Sequence, residues 1–331
     1  MLEERLIRVS GAGIRREHGE LRPGETGPVK ANYRVVAPRM SSPDAFRALC
    51  AACVQHLEGN RYGALAGEDP EYLHQIRVAL WRLRTAFGIF ADVLPQAVVA
   101  ETLAELRWLT RALGGARDWD VFIAGTLNPA LAQHPRHAGL RAFREACEEA
   151  SERAREGARS ALESRRYYAL MRSLRALSYG DVPLVRETGR ARALPMARRA
   201  KSSVESLVER AGKRGRRLMR QDEAGLHRLR KAVRRLRYSL LFLAPLLPGR
   251  GARPLARAVE ALQETLGAVN DCAVGKELIE RARSRARGPQ RRKTRKLLLK
   301  RLKAARAARR RELEAQWEAF RGAQARWDAA R

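Results

Sequence analysis

From residue 42 onward, apolar positions return every three or four residues, and strict alternation is nearly absent. That period is helical. Phe46, Leu49, Cys53 and Leu57 mark a first helix, opened by Ser41, Ser42, Pro43 and Asp44 and closed by Gly59, Asn60 and Gly63. A second begins at Asp69–Pro70–Glu71 and stops at Pro95. A third runs from about Pro95 to Gly114–Gly115, a short one follows Asp118, and a long mixed-charge helix covers roughly 137–178. Further helices cover about 191–220, 223–247, 252–267, 271–286 and 289–321. Residues 1–41 are rich in Gly, Pro and charge and read as a flexible or loosely attached tail. Residues 322–331 read as a C-terminal tail. The pattern predicts an all-α protein.

The two halves repeat one plan. At an offset of 153 residues His74 falls on His227, Arg77 on Arg230, Arg82 on Arg235 and Arg84 on Arg237. Pro95 meets Pro248, Gly114 meets Gly267 and Asp118 meets Asp271, without a gap. Chance matches of Arg and Leu are common, whereas ungapped agreement of His, Pro, Gly and Asp as well is not. An internal duplication follows, with one helical bundle over 42–190 and a second over 191–321.

The helices beginning near His74 and His227 are two-faced. At about 100° per residue, Ile76, Ala79, Leu80, Leu83 and Phe87 form one stripe, and Leu229, Ala232, Val233, Leu236 and Leu240 form its counterpart. Opposite lie His74, Arg77, Arg82 and Arg84, and His227, Arg230, Lys231, Arg234, Arg235 and Arg237, over an arc of about 160°. Tyr238 falls on the same arc. Core packing does not ask for that second stripe. Guanidinium forks match phosphate oxygens two at a time, so the stripe suits a polyanion. A solvated basic face is the bland alternative, and it loses ground because the placement occurs twice.

Charge changes the picture further. The formal net charge is +31, a self-repulsion that a partner would relieve. Between Arg281 and Arg311 no acidic residue occurs, and Arg291, Arg292, Lys300 and Lys303 there are secondary anion-site candidates or a solvated face. Cys50, Cys53, Cys147 and Cys272 suggest no disulfide framework, which fits a reducing cytosol. No apolar run reaches the ~20 residues of a membrane span. Neither a phosphate-cradling Gly-rich loop nor a hydrolase signature is present. Cys50-Ala-Ala-Cys53 and His134-Pro-Arg-His137 lack the further ligands of a metal site and read as packing and loop. Asp118 and Asp271, after glycines, read first as helix N-caps, with pairing to nearby arginines as the alternative.

LHQIRVALWRLRTAF and LHRLRKAVRRLRYSL resemble the two signature helices of the CHAD family, the conserved histidine α-helical domain. LGGARDWDV (113–121) and, more weakly, LGAVNDCAV (266–274) resemble the motif that follows them. The resemblance covers about 42–321. It implies two four-helix bundles related by pseudo-twofold symmetry, with a basic groove or pore between them. It also implies binding of inorganic polyphosphate and, in some members, association with polyphosphate granules. Trp81 departs from the pattern, since its counterpart is Arg234. The resulting expectation is a cytoplasmic, non-catalytic polyphosphate binder that needs no cofactor and works with granule proteins. Nonspecific binding to the RNA or DNA backbone is the second reading. A metal-dependent phosphohydrolase or metal chelator using the paired histidines is the third.

Overall fold

The computed structural model describes residues 27–33, 35–67, 69–180, 196–283 and 290–330. Residues 1–26 of the expected tail, and the expected helix ends at 191–195 and 284–289, lie outside them. Among the described residues the structure is all-α, without a strand.

Helix α1 spans Ser42–Ala66 and is capped by Ser41, whose Oγ accepts the Asp44 N–H at 3.2 Å. It runs straight through the expected stop at Gly59, Asn60 and Gly63. Asn60 donates to the His56 carbonyl at 2.7 Å and to the Val29 carbonyl at 3.0 Å, so its side chain is tied rather than unwinding the turn. The stop comes at Gly67, left-handed at φ 75°, whose N–H reaches the Gly63 carbonyl at 3.0 Å. Gly63 serves an approach instead: a Cβ there would sit 2.5 Å from the Tyr72 ring. Tyr72 lies on α2, Pro70–Ile89, which Asp69 caps by accepting the Glu71 N–H at 2.7 Å.

A 3-10 turn at Ala91–Val93 leads to α3, Gln96–Ala112. Helix α4, Gly114–Phe122, begins at once, because Leu113 keeps right-handed helical backbone. Asp118 therefore lies inside a helix, and the expectation that it caps one is overturned. Gly114 lies against Arg77, whose Nη1 would be 3.4 Å from a Cβ there. A π-turn at Ile123–Leu127 and short α5, Asn128–Gln133, follow. The expected helix over 137–178 is two, α6 Ala138–Glu163 and α7 Arg165–Tyr179. Ser164 turns extended between them and caps the second. His137 caps α6, its Nδ1 accepting the Leu140 N–H at 3.2 Å.

The second half contains α8 (Met196–Arg214), α9 (Glu223–Leu243), α10 (Gly249–Arg283) and α11 (Arg291–Ala329). The two helices expected over 252–286 are one. Gly267 and Asp271 are interior to α10, so Asp271 is not a cap either. The expected C-terminal tail is the last part of α11, held down by Ala323 and Trp327, both buried. Part of the expected N-terminal tail is also attached: Val36 is buried and Tyr33 packs on the core.

Helices α1, α2, α3 and α7 pack together, and α8 and α9 pack with the first part of α10 and the last part of α11. One continuous apolar core runs through both groups. A separate core joins α4 and the start of α6 to the far ends of the long helices, through Trp119, Phe122, Phe143, Ile279 and Leu298. Helices α10 and α11 are about 52 and 58 Å long by their rise, which lets each serve both cores. Between the groups, Arg199 of α8 holds Asp92 after α2 through two bonds of 2.7 and 2.6 Å.

Candidate polyanion site

Helices α2 and α9 touch, and so do α4 and α10. The basic stripes meet along this contact, while the apolar stripes face the shared core. Leu73, Ile76, Leu80 and Leu83 are buried on α2, as are Leu226, Leu229, Val233 and Leu236 on α9.

At the centre lies a mixed-charge cluster. Arg77 Nη1 donates to the Thr110 carbonyl at 3.3 Å, with Asp118, Arg117 and Arg230 close by. Asp118 and Asp271 face each other across α4 and α10. Burial raises both carboxyl pKa values, each opposed by an arginine, Arg77 for Asp118 and Arg230 for Asp271. The two aspartates thus offset part of the charge of Arg77 and Arg230 from inside the fold.

The two histidines flank that cluster. His74 is half-buried and His227 exposed. Burial lowers both pKa values, and neighbouring cations add to it: Arg117 beside His74, Lys231 beside His227. His227 also shares a hydrogen bond with Asn270 and borders a small cavity of about 30 Å³ with Arg230 and Arg306.

Beside the cluster opens a cavity of about 290 Å³. Arg84 and Trp81 of α2, Arg228, Lys231 and Arg235 of α9, and Arg210 and Arg214 of α8 line it, with Thr85 and Ala232. None of its lining residues is acidic. Among the described residues none of these six cationic side chains has an ion-pair partner. Other arginines do: Arg166 with Glu105 and Arg295 with Glu280, both at 2.6 Å. Burial lowers the pKa of Arg84 and Arg235, and a second arginine beside each adds to it, Arg107 and Arg210 respectively. Arg234 stands over the Trp81 indole at 4.3 Å and Arg84 at 4.4 Å. Burial, with Arg230 close by, pushes Arg234 down to about 9, which still leaves it charged at neutral pH.

Of the expected residues, Arg84, Lys231 and Arg235 line the cavity and Arg234 stands over its Trp81 wall, while His74, Arg77, His227 and Arg230 belong to the neighbouring aspartate cluster. The structure takes Arg82 elsewhere. It is fully buried, donating to the Asn32 carbonyl, 3.2 Å from His56 Nδ1 and 4.7 Å from the Tyr33 ring centre. Arg237 is paired with Glu260 at 2.5 Å. Arg291, Arg292, Lys300 and Lys303 are exposed on the part of α11 that packs on the distal core, and none lines the cavity. Sequence reasoning missed Arg210, Arg214, Arg228 and Arg117. Arg210 and Arg214 are an i, i+4 pair, but nothing in the chain order ties α8 to the repeated helices.

Residues 48–280 match the CHAD domain family model. The chain belongs to the CHAD family. The crystal structure of the CHAD domain from the plant Ricinus communis is similar at 30% identity and a TM-score of 0.75, covering 89% of this chain and 96% of that one. PptA from Streptomyces chartreusis shares the fold at 17% identity and a TM-score of 0.59, over 86% of this chain and 99% of that one. No curated protein matches. The CHAD fold here holds no helix, among the described residues, long and apolar enough to cross a membrane.

Proposed function

We propose that this CHAD protein binds inorganic polyphosphate without turning it over, through the cavity between α2, α8 and α9. One observation carries the proposal: six cationic side chains line one cavity with no carboxylate in its lining, and among the described residues none of the six has an ion-pair partner. Arg84 is half-buried and the other five are exposed, so like charges crowd one another around one opening, and a chain of phosphates would relieve that repulsion along its length. A volume of about 290 Å³ is room for about ten water molecules, enough for a short stretch of chain. His74, Arg77, His227, Arg230 and Arg234 extend the positive surface around it, and we leave Arg82 and Arg237 out of the site. Trp81 is the one aromatic lining residue, and guanidinium groups already cover its ring. That favours a phosphate chain over single-stranded RNA, which seeks free stacking faces. Association with granules in the cytoplasm is the setting we propose.

The test is retention on immobilised long-chain polyphosphate with RNA as competitor. The wild type is expected to be held against an equal charge of RNA. Arg84→Glu combined with Lys231→Glu and Arg235→Glu is expected to abolish retention. Equal competition by RNA would replace polyphosphate with a general phosphate backbone, and unchanged retention of the triple variant would move the site elsewhere.

A further inference from the structure

We infer that Trp81 is a positioning residue of this site, whose indole holds Arg84 and Arg234 together across the two repeated helices. The inference rests on the polyphosphate reading and deepens it. Trp81 and Arg84 lie on α2, whereas Arg234 lies on α9. Both guanidinium carbons stand over the one ring, at 4.4 and 4.3 Å from its centre. Two guanidinium groups repel each other, and neither has a carboxylate partner among the described residues to hold it in place. The negative face of an indole is the strongest aromatic partner for a cation. It fixes a guanidinium without neutralising it. A carboxylate in the same place would fix the arginines equally well but would cancel the charge that an anion needs.

The sequence asymmetry then has a physical sense. Position 81 is tryptophan where its repeat counterpart, Arg234, is a cation. A second arginine there would add charge and leave all three guanidinium groups free to splay apart. The indole trades one charge for the order of two others, and ordered forks lose less entropy when they bind. Trp81 also packs against the apolar core, so the ring is itself anchored. It serves as packing and as cavity wall at once.

The experiment measures the affinity of the full chain for long-chain polyphosphate against salt concentration. It compares wild type, Trp81→Leu, Trp81→Phe, Arg84→Gln and the Trp81→Leu/Arg84→Gln double variant, with a melting temperature for each. Trp81→Leu is expected to weaken binding roughly tenfold, a loss within the range of two cation–π contacts. Its log–log salt slope should fall by about 1, as one phosphate contact is lost. Trp81→Phe should recover most of both. The Trp81→Leu loss should shrink in the Arg84→Gln background, because the ring acts through that arginine. Wild-type affinity and slope in Trp81→Leu would overturn the inference. So would a loss that is fully additive with Arg84→Gln, accompanied by a lower melting temperature and an unchanged slope, which is the signature of packing alone. If the wild type itself fails to bind polyphosphate, the functional reading falls and takes this inference with it. Wild-type binding with an indifferent Trp81 overturns the inference only.

Discussion

At the scale of single residues, buried polar groups here divide into those that stabilise and those that wait. His56 belongs to the first kind. Its Nε2 is 2.9 Å from Gln75 Oε1 and its Nδ1 is 3.2 Å from Arg82 Nη1. Arg82 can only donate, so Nδ1 accepts and Nε2–H donates to Gln75. A proton on Nδ1 would meet the guanidinium. Burial first, and Arg82 in addition, lower the pKa from 6.5 to about 4. The unfolded chain therefore takes up a proton below about pH 6.5 that folded His56 refuses until about pH 4. Stability falls through that window as pH falls, by on the order of 3 kcal/mol in total. Denaturant unfolding at pH 7 and pH 4.5 should show this, and His56→Gln should shrink the difference. An equal pH dependence in the variant would count against the network. Arg84 and Arg234 are of the second kind, partly buried and, among the described residues, without an ion-pair partner.

At the scale of elements, helix ends and crossings depend on which groups find partners. Asn60 and Gly63 look like a stop in isolation, yet the helix continues because Asn60 is bonded to two carbonyls and Gly63 faces Tyr72. Alanine normally improves a helix interior by about 1 kcal/mol over glycine. At position 63 it is expected to do the reverse, because the new Cβ would sit 2.5 Å from the Tyr72 ring. Overpacking of this kind costs about 1–3 kcal/mol. Thermal unfolding of Gly63→Ala should show a lower midpoint, and Gly63→Ala with Tyr72→Leu should regain much of it. A midpoint at or above wild type in the single variant would refute the close crossing. The motif aspartates lie within helices, with Arg77 beside Asp118 and Arg230 beside Asp271.

At the scale of the whole molecule, a formal charge of +31 strains the compact state. Ion pairs such as Arg199–Asp92 and Arg166–Glu105 relieve it locally, and the central cavity is left positive. A polyanion that binds the folded state and not the unfolded one raises stability by mass action. The melting temperature at low salt is therefore expected to rise by several degrees with excess long-chain polyphosphate. Moderate sodium chloride should erase most of that gain, since the counterions released on binding compete. A midpoint indifferent to polyphosphate at low salt would sink the prediction.

The helical period, the repeated His/Arg helices and the motif residues of the CHAD family are all legible along the chain, because each is a property of spacing within one helix. That spacing determined the all-α class, the inward faces of α2 and α9, and the presence of a basic stripe on each. It could not say which stripe residues share a space. Arg82 and Arg84 are two positions apart on one helix. The first is buried against His56 and Tyr33, and the second opens onto the cavity. Arg210 and Arg214 reach the cavity from a helix that carries no repeat motif. Only the tertiary structure decided these matters, because burial and like-charge proximity depend on which helices meet, and periodicity within one helix carries no information about its neighbours.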